Sequence, residues 1–171
     1  MDDVAVAALN GLLGDRKGLD VTDMVNPRAL KAGRDFYLSW RNCPARGGAG
    51  PIAKRHFYRW CLSKVESDKR ILLVGKSYGA HWCLDAIEDL HIGYLVDALV
   101  FDPTSVLRRR ETHTRTMACP ANITVVRQLG HRSGYRVAGA NDKIIDATHS
   151  NIERTKAGRS ILDTWLTKHG L

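Results

Sequence analysis

The stretch ILLVGKSYGA, from Ile71 to Ala80, runs from four apolar residues into a turn in which two glycines flank one serine. A short apolar run is typical of a buried parallel strand, and the residues from Tyr78 onward have the spacing of an amphipathic helix. The pattern G-x-S-x-G between a strand and a helix predicts a sharp turn that exposes the hydroxyl of Ser77 for attack. A small polar loop is the alternative interpretation of the same residues.

Strands and helices alternate on both sides of this turn. The predicted strands cover residues 4–9, 35–40, 70–75, 97–102, 122–128 and 142–147, with 135–140 as a competitor for the last of them. The predicted helices cover residues 27–32, 51–66 and 78–90, followed by a final helix that starts at an S-x-x-E capping box of Ser150 and Glu153. This alternation predicts an α/β fold with a mainly parallel sheet between two layers of helices, a three-layer sandwich.

The length and composition bound the class of protein. With 171 residues, 44% of them hydrophobic and 26% charged, the chain is expected to form a single globular domain over residues 1–171. No apolar run reaches the roughly 20 residues that a membrane helix needs, and the first residues lack the basic character of a signal peptide. The sequence therefore predicts no transmembrane segment and a cytoplasmic location, and it leaves export by another route open.

Charge and cysteine content say less about function. The net charge of +8 favours anionic surroundings, and the densest basic cluster is Arg108 to Arg110. This cluster has no interleaved aromatic residues, so it is interpreted as a solvated loop or as a contact for an anionic surface, and no specific nucleic acid is predicted. The four cysteines are far apart, and no metal or other cofactor is predicted. Cys61 and Cys83 fall on apolar helix faces and are expected to be free core thiols.

Four polar features come directly after predicted strands. The loop NGLLGD, residues 10–15, follows the first strand, Ser77 follows the third, Asp102 ends the fourth, and His149 lies between the last strand and the last helix. Chemistry in open parallel sheets collects at the carboxyl ends of the strands. A serine hydroxyl needs a base, and the base needs an acid that fixes its tautomer. We therefore expect Ser77 to be a nucleophile, His149 its base and Asp102 the acid.

The choice of base depends on position in the chain. His149 directly precedes the last helix, where a loop can return an imidazole to the serine. His113 and His131 lie in loops and stay open as bases, whereas the other four histidines are expected in or beside helices or at the C-terminal end.

The choice of acid is less determined by the residues themselves. Asp102 stands in LVFDPTS, where Pro103 forces the chain out of the sheet, although an Asp-Pro pair also starts ordinary turns. Asp142 and Asp146 are competitors that lie close to the histidine in sequence, and Asp142 is the first alternative. No Asp or Glu occurs between Val125 and Ala140, so the end of the fifth strand has no acid to offer.

The order Ser77, Asp102, His149 resembles that of the α/β-hydrolase superfamily. Locally, the sequence GKSYGAH of residues 75–81 and the FDP of residues 101–103 resemble lipases of the pancreatic type. That resemblance supports Asp102 as the acid. NGLLGD resembles the H-G-x oxyanion loop of the superfamily, with Asn10 in place of the usual histidine. The resemblance implies that the backbone amides of Leu12 and Tyr78 would hold an oxyanion.

The chain also departs from full-size members of the superfamily. The two N-terminal antiparallel strands are missing, and no long insertion forms a lid, so that residues 104–121 are the only candidate cover. A reduced core of this kind is similar in plan to cutinases. It implies an open site.

The resemblance implies a serine hydrolase that cleaves a carboxylic ester, lipase-like or esterase-like, through an acyl-enzyme. Its partner would be a small-molecule or lipid-like ester. A thioesterase or an acyltransferase would use the same three residues, and this alternative stays open. The alternative from another class is a non-catalytic binding protein that holds an anionic partner on its basic surface.

Overall fold

The computed structural model describes residues 4–11, 21–39, 49–104, 114–130 and 134–171. The strands are β1 (Val4–Leu9), β2 (Asp35–Ser39), β3 (Arg70–Lys76), β4 (Val96–Phe101), β5 (Thr114–Arg115), β6 (Ile123–Gln128), β7 (Arg136–Val137) and β8 (Asn141–Ile145). The α-helices are α1 (Val21–Lys31), α2 (Ala49–Glu66), α3 (Tyr78–Asp89) and α4 (Lys156–Lys168).

Six of the strands form one parallel sheet in the order β2-β1-β3-β4-β6-β8, and β5 and β7 pair separately. In the register of the sheet, Gly75 lies opposite Leu9 of β1 and Val100 of β4. The carboxyl ends of these three central strands are therefore level with one another. Whatever follows them in the chain is brought to one edge of the sheet.

Helices cover both faces of the sheet. On one face, β-strand residues pack against α2 and α3, with Phe57 and Cys61 of α2 and Cys83 of α3 fully buried. On the other face, Val25 of α1 and Leu166 of α4 belong to a second buried cluster. Strands buried on both faces need continuous apolar runs, which is why the sequences of β1 and β3 do not alternate with polar residues. The predicted three-layer α/β architecture is confirmed.

Two predicted boundaries were wrong. Helix α1 begins at Val21, six residues before the predicted start, and Pro27 lies inside it. Helix α4 begins at Lys156, and its N-cap is Thr155, whose hydroxyl oxygen accepts a hydrogen bond from the amide of Gly158 at 3.0 Å. The predicted capping box of Ser150 and Glu153 therefore caps nothing, because residues 150–155 form turns.

Candidate active site

Ser77 occupies the turn between β3 and α3. Its backbone has φ 54° and ψ −118°, a conformation that non-glycine residues rarely adopt. Three main-chain hydrogen bonds hold it there: its amide donates to the carbonyl of Phe101, and its carbonyl accepts from the amides of His81 and Thr104. Although Ser77 is the N-cap of α3, its side chain makes no capping bond. The hydroxyl is therefore available for another partner.

Glycines surround this turn because there is no room for side chains. A Cβ at Gly75 would lie 2.7 Å from the Cα of Ala80, and one at Gly79 would lie 2.3 Å from the carbonyl oxygen of Leu9. Gly11, in the loop after β1, would bring a Cβ within 2.8 Å of the Cβ of Ser77. Each of these contacts is closer than real Cβ atoms tolerate. The turn thus depends on glycine for packing, and the third glycine was not singled out from the sequence.

The imidazole of His149 lies against the hydroxyl of Ser77. The distance from His149 Nε2 to Ser77 Oγ is 2.8 Å, and His149 Nδ1 contacts the Oδ2 atom of Asp102. A carboxylate only accepts hydrogen bonds, so Nδ1 carries the proton and donates to Asp102. Nε2 is then left to accept from the serine hydroxyl. This tautomer is the one that removes a proton from an attacking serine.

Asp102 is fully buried at the end of β4, where its backbone has φ 44°. Its amide donates to the carbonyl of Val126 at 2.6 Å, and its Oδ2 also accepts a hydrogen bond from Nε2 of Gln128. A Cβ on Gly134 would lie 2.3 Å from Oδ1, so the carboxylate is enclosed on that side too. Both His149 and Gln128 therefore donate to this carboxylate, in a place that water does not reach.

Asp142, the first alternative for the acid, lies elsewhere. It is on β8, and its two carboxylate oxygens accept hydrogen bonds from Nε and Nη2 of Arg127 at 2.8 and 2.5 Å. A bidentate pair of this kind satisfies the carboxylate, which explains why Asp142 is not turned toward His149. The structure thus brings together Ser77, His149 and Asp102.

Other predicted residues fall outside the described part of the chain or have different contacts. Leu12, the basic cluster at 108–110, His113 and His131 lie outside the described residues. Tyr78 is the first residue of α3, where backbone amides have no partner within the helix. Asn10 is buried and donates from Nδ2 to the hydroxyl of Thr22 at 2.8 Å, which fastens the loop after β1 to α1.

Two residues of the site were not found from the sequence. Thr104 places its Oγ1 atom 3.3 Å from the Oγ of Ser77, and Gln128 contacts Asp102 as described above. Thr104 follows β4, the neighbour of the serine strand, and Gln128 ends β6, the next strand along the sheet. Their position at the carboxyl ends of strands was the one available signal. Neither is an ionisable residue, and a search for acids and bases passes over them.

Beside α3, a polar cluster lies next to the site. Asp85 accepts hydrogen bonds from Lys54 at 2.7 Å and from Arg115 at 2.9 Å, while Nδ1 of His81 lies 2.6 Å from the hydroxyl of Tyr135. Burial works to raise the pKa of Asp85, but Lys54, His81 and Arg115 together hold that pKa below its ordinary value. The carboxylate is therefore charged at neutral pH and ties α2 and α3 to the strand that contains Arg115.

The thiols on the other side of α3 are not reactive groups. Cys61 and Cys83 are free and buried, as expected from the apolar helix faces. Burial raises the pKa of Cys61 to about 12 and raises that of Cys83 as well. A thiol in this state is protonated at neutral pH and serves as an apolar core residue.

Within the described residues, no group of three or more His, Cys, Asp or Glu side chains is arranged to hold a metal ion. In the same part of the chain, none of the helices has the length and apolar character that crossing a membrane requires.

Comparison with known proteins identifies the fold. No protein-family model matches the sequence, and no curated protein matches it significantly. A candidate hydrolase of the α/β superfamily from Xanthomonas campestris pv. campestris is 15% identical with a TM-score of 0.62, covering 96% of this chain and 98% of its own. A protein of unknown function from Agrobacterium tumefaciens str. C58 is 10% identical with a TM-score of 0.56, over 98% and 91% of the two chains.

A third match is the NocB thioesterase domain of the nocardicin cluster, solved as a covalent complex with a fluorophosphonate nocardicin G analog. It is 11% identical with a TM-score of 0.54, over 91% of this chain and 89% of that domain. Identities this low establish architecture and not activity. The chain has a reduced α/β-hydrolase fold, as its sequence predicted.

Proposed function

We propose that the protein is a serine hydrolase that cleaves a carboxylic ester through an acyl-enzyme. The observation that carries this proposal is the 2.8 Å distance between His149 Nε2 and Ser77 Oγ, with Asp102 on the other nitrogen of the same imidazole. A nucleophile, a base and a buried acid, each within hydrogen-bond distance of the next, form the set that activates a serine.

In the first half of the reaction, Ser77 Oγ attacks the carbonyl carbon of the ester while His149 Nε2 takes the hydroxyl proton. The imidazolium that forms is stabilised by the carboxylate of Asp102. The imidazolium then gives its proton to the alkoxide oxygen as the bond from carbon to that oxygen breaks. The alcohol leaves, and the acyl group stays on Ser77 as an ester.

By the resemblance to the α/β-hydrolase superfamily, the negative charge on the carbonyl oxygen would be held by the backbone amides of Tyr78 and of Leu12, which lies outside the described residues. Tyr78 begins α3, so the positive end of the helix dipole acts in the same direction. Loss of one such donor typically lowers kcat about 100- to 1000-fold.

In the second half, a water molecule replaces the alcohol. His149 takes a proton from the water as the oxygen attacks the acyl carbon, and the proton then goes to Ser77 Oγ as the acyl bond breaks. The products are a carboxylic acid and the free serine. A thioester would react by the same steps with a thiol as the leaving group, and the NocB thioesterase domain gives that substrate class a place in the test.

The proposal is tested with a fluorophosphonate probe and with a matched pair of p-nitrophenyl ester and acyl thioester substrates. We expect the probe to label the wild-type protein and the ester to be hydrolysed, and we expect both to fail in Ser77→Ala. Ser63→Ala is the matched control, because Ser63 is an exposed serine on α2 whose hydroxyl donates to the carbonyl of Trp60. Labelling that persists in Ser77→Ala would overturn the proposal, and a strong preference for the thioester would change the substrate class.

A further inference from the structure

A charged pair is buried directly beside the serine turn. Lys76 is the last residue of β3 and precedes Ser77, and Glu153 comes four residues after His149. The Nζ atom of Lys76 donates to Glu153 Oε1 at 2.5 Å and to the carbonyl oxygen of Ser150 at 3.3 Å. Two consecutive residues therefore contact the segment that begins at His149. Lys76 bonds to Ser150 and Glu153, and Ser77 contacts the imidazole of His149.

The pair lies where an apolar residue would be expected. Side chains alternate along a strand, so Lys76 points to the same face as Leu72 and Val74, which belong to the apolar cluster that also contains Ile152. The Glu153 side chain is 0% exposed and that of Lys76 is 11% exposed. Among the described residues, Oε2 of Glu153 has no hydrogen-bond partner. The carboxylate thus depends on contacts at Oε1, to Lys76 and, at 3.3 Å, to Arg154.

Such a pair is a poor means of stabilising a fold. Removing two charges from water costs several kcal/mol per ion, and apolar side chains of similar volume often replace a buried pair without loss of stability. What an ion pair adds is direction, because its hydrogen bonds fix the two groups at a definite distance and angle. This pair links β3, the strand before Ser77, to the segment 149–155.

We propose that Lys76 and Glu153 are positioning residues that hold the segment 149–155 against the serine turn, so that Nε2 of His149 stays within hydrogen-bond distance of Ser77. This inference rests on the proposed function. Residues 150–155 form turns, whose backbone bonds are short-range, such as the amide of Arg154 to the carbonyl of Asn151. The bonds from Lys76 fix the segment from outside, beside the bond that His149 makes with Asp102.

The double variant Lys76→Met/Glu153→Met tests this proposal. It removes both charges of the pair at once, and Arg154, which loses its contact with Glu153, has a side chain that is partly exposed to water. Methionine has a length similar to that of either side chain. We expect it to melt within a few degrees of the wild type, to hydrolyse the p-nitrophenyl ester with kcat lower by about 10- to 100-fold, and to keep KM within about twofold. The size follows from the roughly 100-fold cost of a 1 Å misplacement in an active site.

Two further variants keep the test decisive. Glu153→Asp retains both charges but shortens the carboxylate arm, and it decides the question if the double variant does not fold. We expect kcat to fall in Glu153→Asp and the rate of fluorophosphonate labelling to fall with it. Asp97→Asn is the matched control, because Asp97 pairs with Arg70 at the opposite end of β3. It is expected to lower stability and to leave kcat unchanged.

The outcomes separate this inference from the function on which it rests. A folded double variant, or a folded Glu153→Asp, with the kcat of the wild type overturns the positioning role while Ser77 remains the nucleophile. A wild-type protein that neither hydrolyses the ester nor takes up the probe overturns the proposed function itself, and the positioning role falls with it. A loss of stability without a loss of kcat would show a structural pair only.

Discussion

Gln128 and His149 donate hydrogen bonds to the same oxygen, Oδ2 of Asp102. Gln128 is the last residue of β6, which pairs with the strand that Asp102 follows, and its side chain is almost fully buried. Two donors on one oxygen restrain the rotation of the carboxylate and also stabilise its negative charge. The amide of Gln128 therefore acts on the imidazole through the acid.

Removal of this amide is expected to slow the reaction. In Gln128→Leu, the buried carboxylate loses a hydrogen bond to a charged group, a contact that contributes about 1.5–3 kcal/mol. We expect kcat for the ester to fall about tenfold or more, with KM little changed, measured by steady-state kinetics. Asn122→Ala is the control, since it removes a side-chain amide that donates to the carbonyl of Gly93 just before β6 begins. Wild-type kcat in Gln128→Leu would contradict the expectation.

The two candidate acids should respond very differently to the same substitution. Asp102→Asn removes the acceptor that fixes the tautomer of His149, and we expect kcat to fall about 1000- to 10,000-fold. Asp142→Asn breaks the pair with Arg127 on β6 and is expected to lower the melting temperature but to leave kcat within about threefold. The reverse order of the two effects on kcat would make Asp142 the acid.

The hydroxyl of Thr104 can be tested with an isosteric change. Thr104→Val keeps the shape of the side chain but removes the hydroxyl that lies 3.3 Å from the Oγ of Ser77. A single hydrogen bond of this type contributes about 0.5–1.5 kcal/mol, so kcat should fall about 2- to 10-fold. Thr104→Ser, which retains a hydroxyl, should recover most of the loss. A kcat in Thr104→Val equal to that of the wild type, with a lower kcat in Thr104→Ser, would mean that the shape of the side chain matters here and its hydroxyl does not.

Stability should depend on pH through Asp85. Its pKa in the folded protein lies below the ordinary value of 3.8, so its charged form stabilises the fold above that pH, and the contribution is lost as pH falls through the folded pKa. We expect Asp85→Asn to lower the free energy of unfolding by about 1–3 kcal/mol at neutral pH. The difference from wild type should shrink as urea titrations move from about pH 6 to about pH 3.

Asp35 provides the comparison for this pH experiment. Its pKa is also lowered, by Lys69 and Lys64, but its side chain is half exposed. Exposed pairs are screened by water and salt, so the effect of Asp35→Asn should be smaller and should fade at high ionic strength. A difference for Asp85→Asn that is the same at every pH would show that its charge does not stabilise the fold.

The alternation of strands and helices along the chain and the turn at Ser77 could be predicted because their causes are local. Apolar runs such as VAVAAL are needed wherever a strand is covered on both faces, and the serine turn needs glycine at 75 and 79 because backbone atoms approach within 3 Å of where side chains would start. The position of Asp102 at a strand end favoured it over Asp142, and the resemblance to lipases supported that choice. The residues alone left Asp142 open as an alternative, since Arg127, which pairs with Asp142, is 15 positions away.

The remaining features depend on long-range contacts that leave no local pattern. Ser150 and Glu153 have the spacing of a capping box, yet the carboxylate of Glu153 is held by Lys76, 77 positions earlier in the chain. Thr155, two residues later, supplies the actual cap. Helix α1 begins before Pro27 for a related reason: Val21 and Val25 are buried against the sheet, and this packing outweighs the local cost of an internal proline.

The nucleophile and the base of the proposed reaction follow strands with different positions in the sheet. The strand β3 before Ser77 is central, whereas β8, before His149, is at an edge. The strand before Ser77 has a neighbour on each side, β1 and β4, whereas β8, four residues before His149, pairs in the described sheet with β6 alone. Edge elements open more readily than central ones in native-state fluctuations. His149 thus lies in the turns that follow one of the two edge strands of the sheet, the other being β2. Heating is therefore expected to end the proposed activity by local opening at this edge while the central strands are still protected from hydrogen exchange.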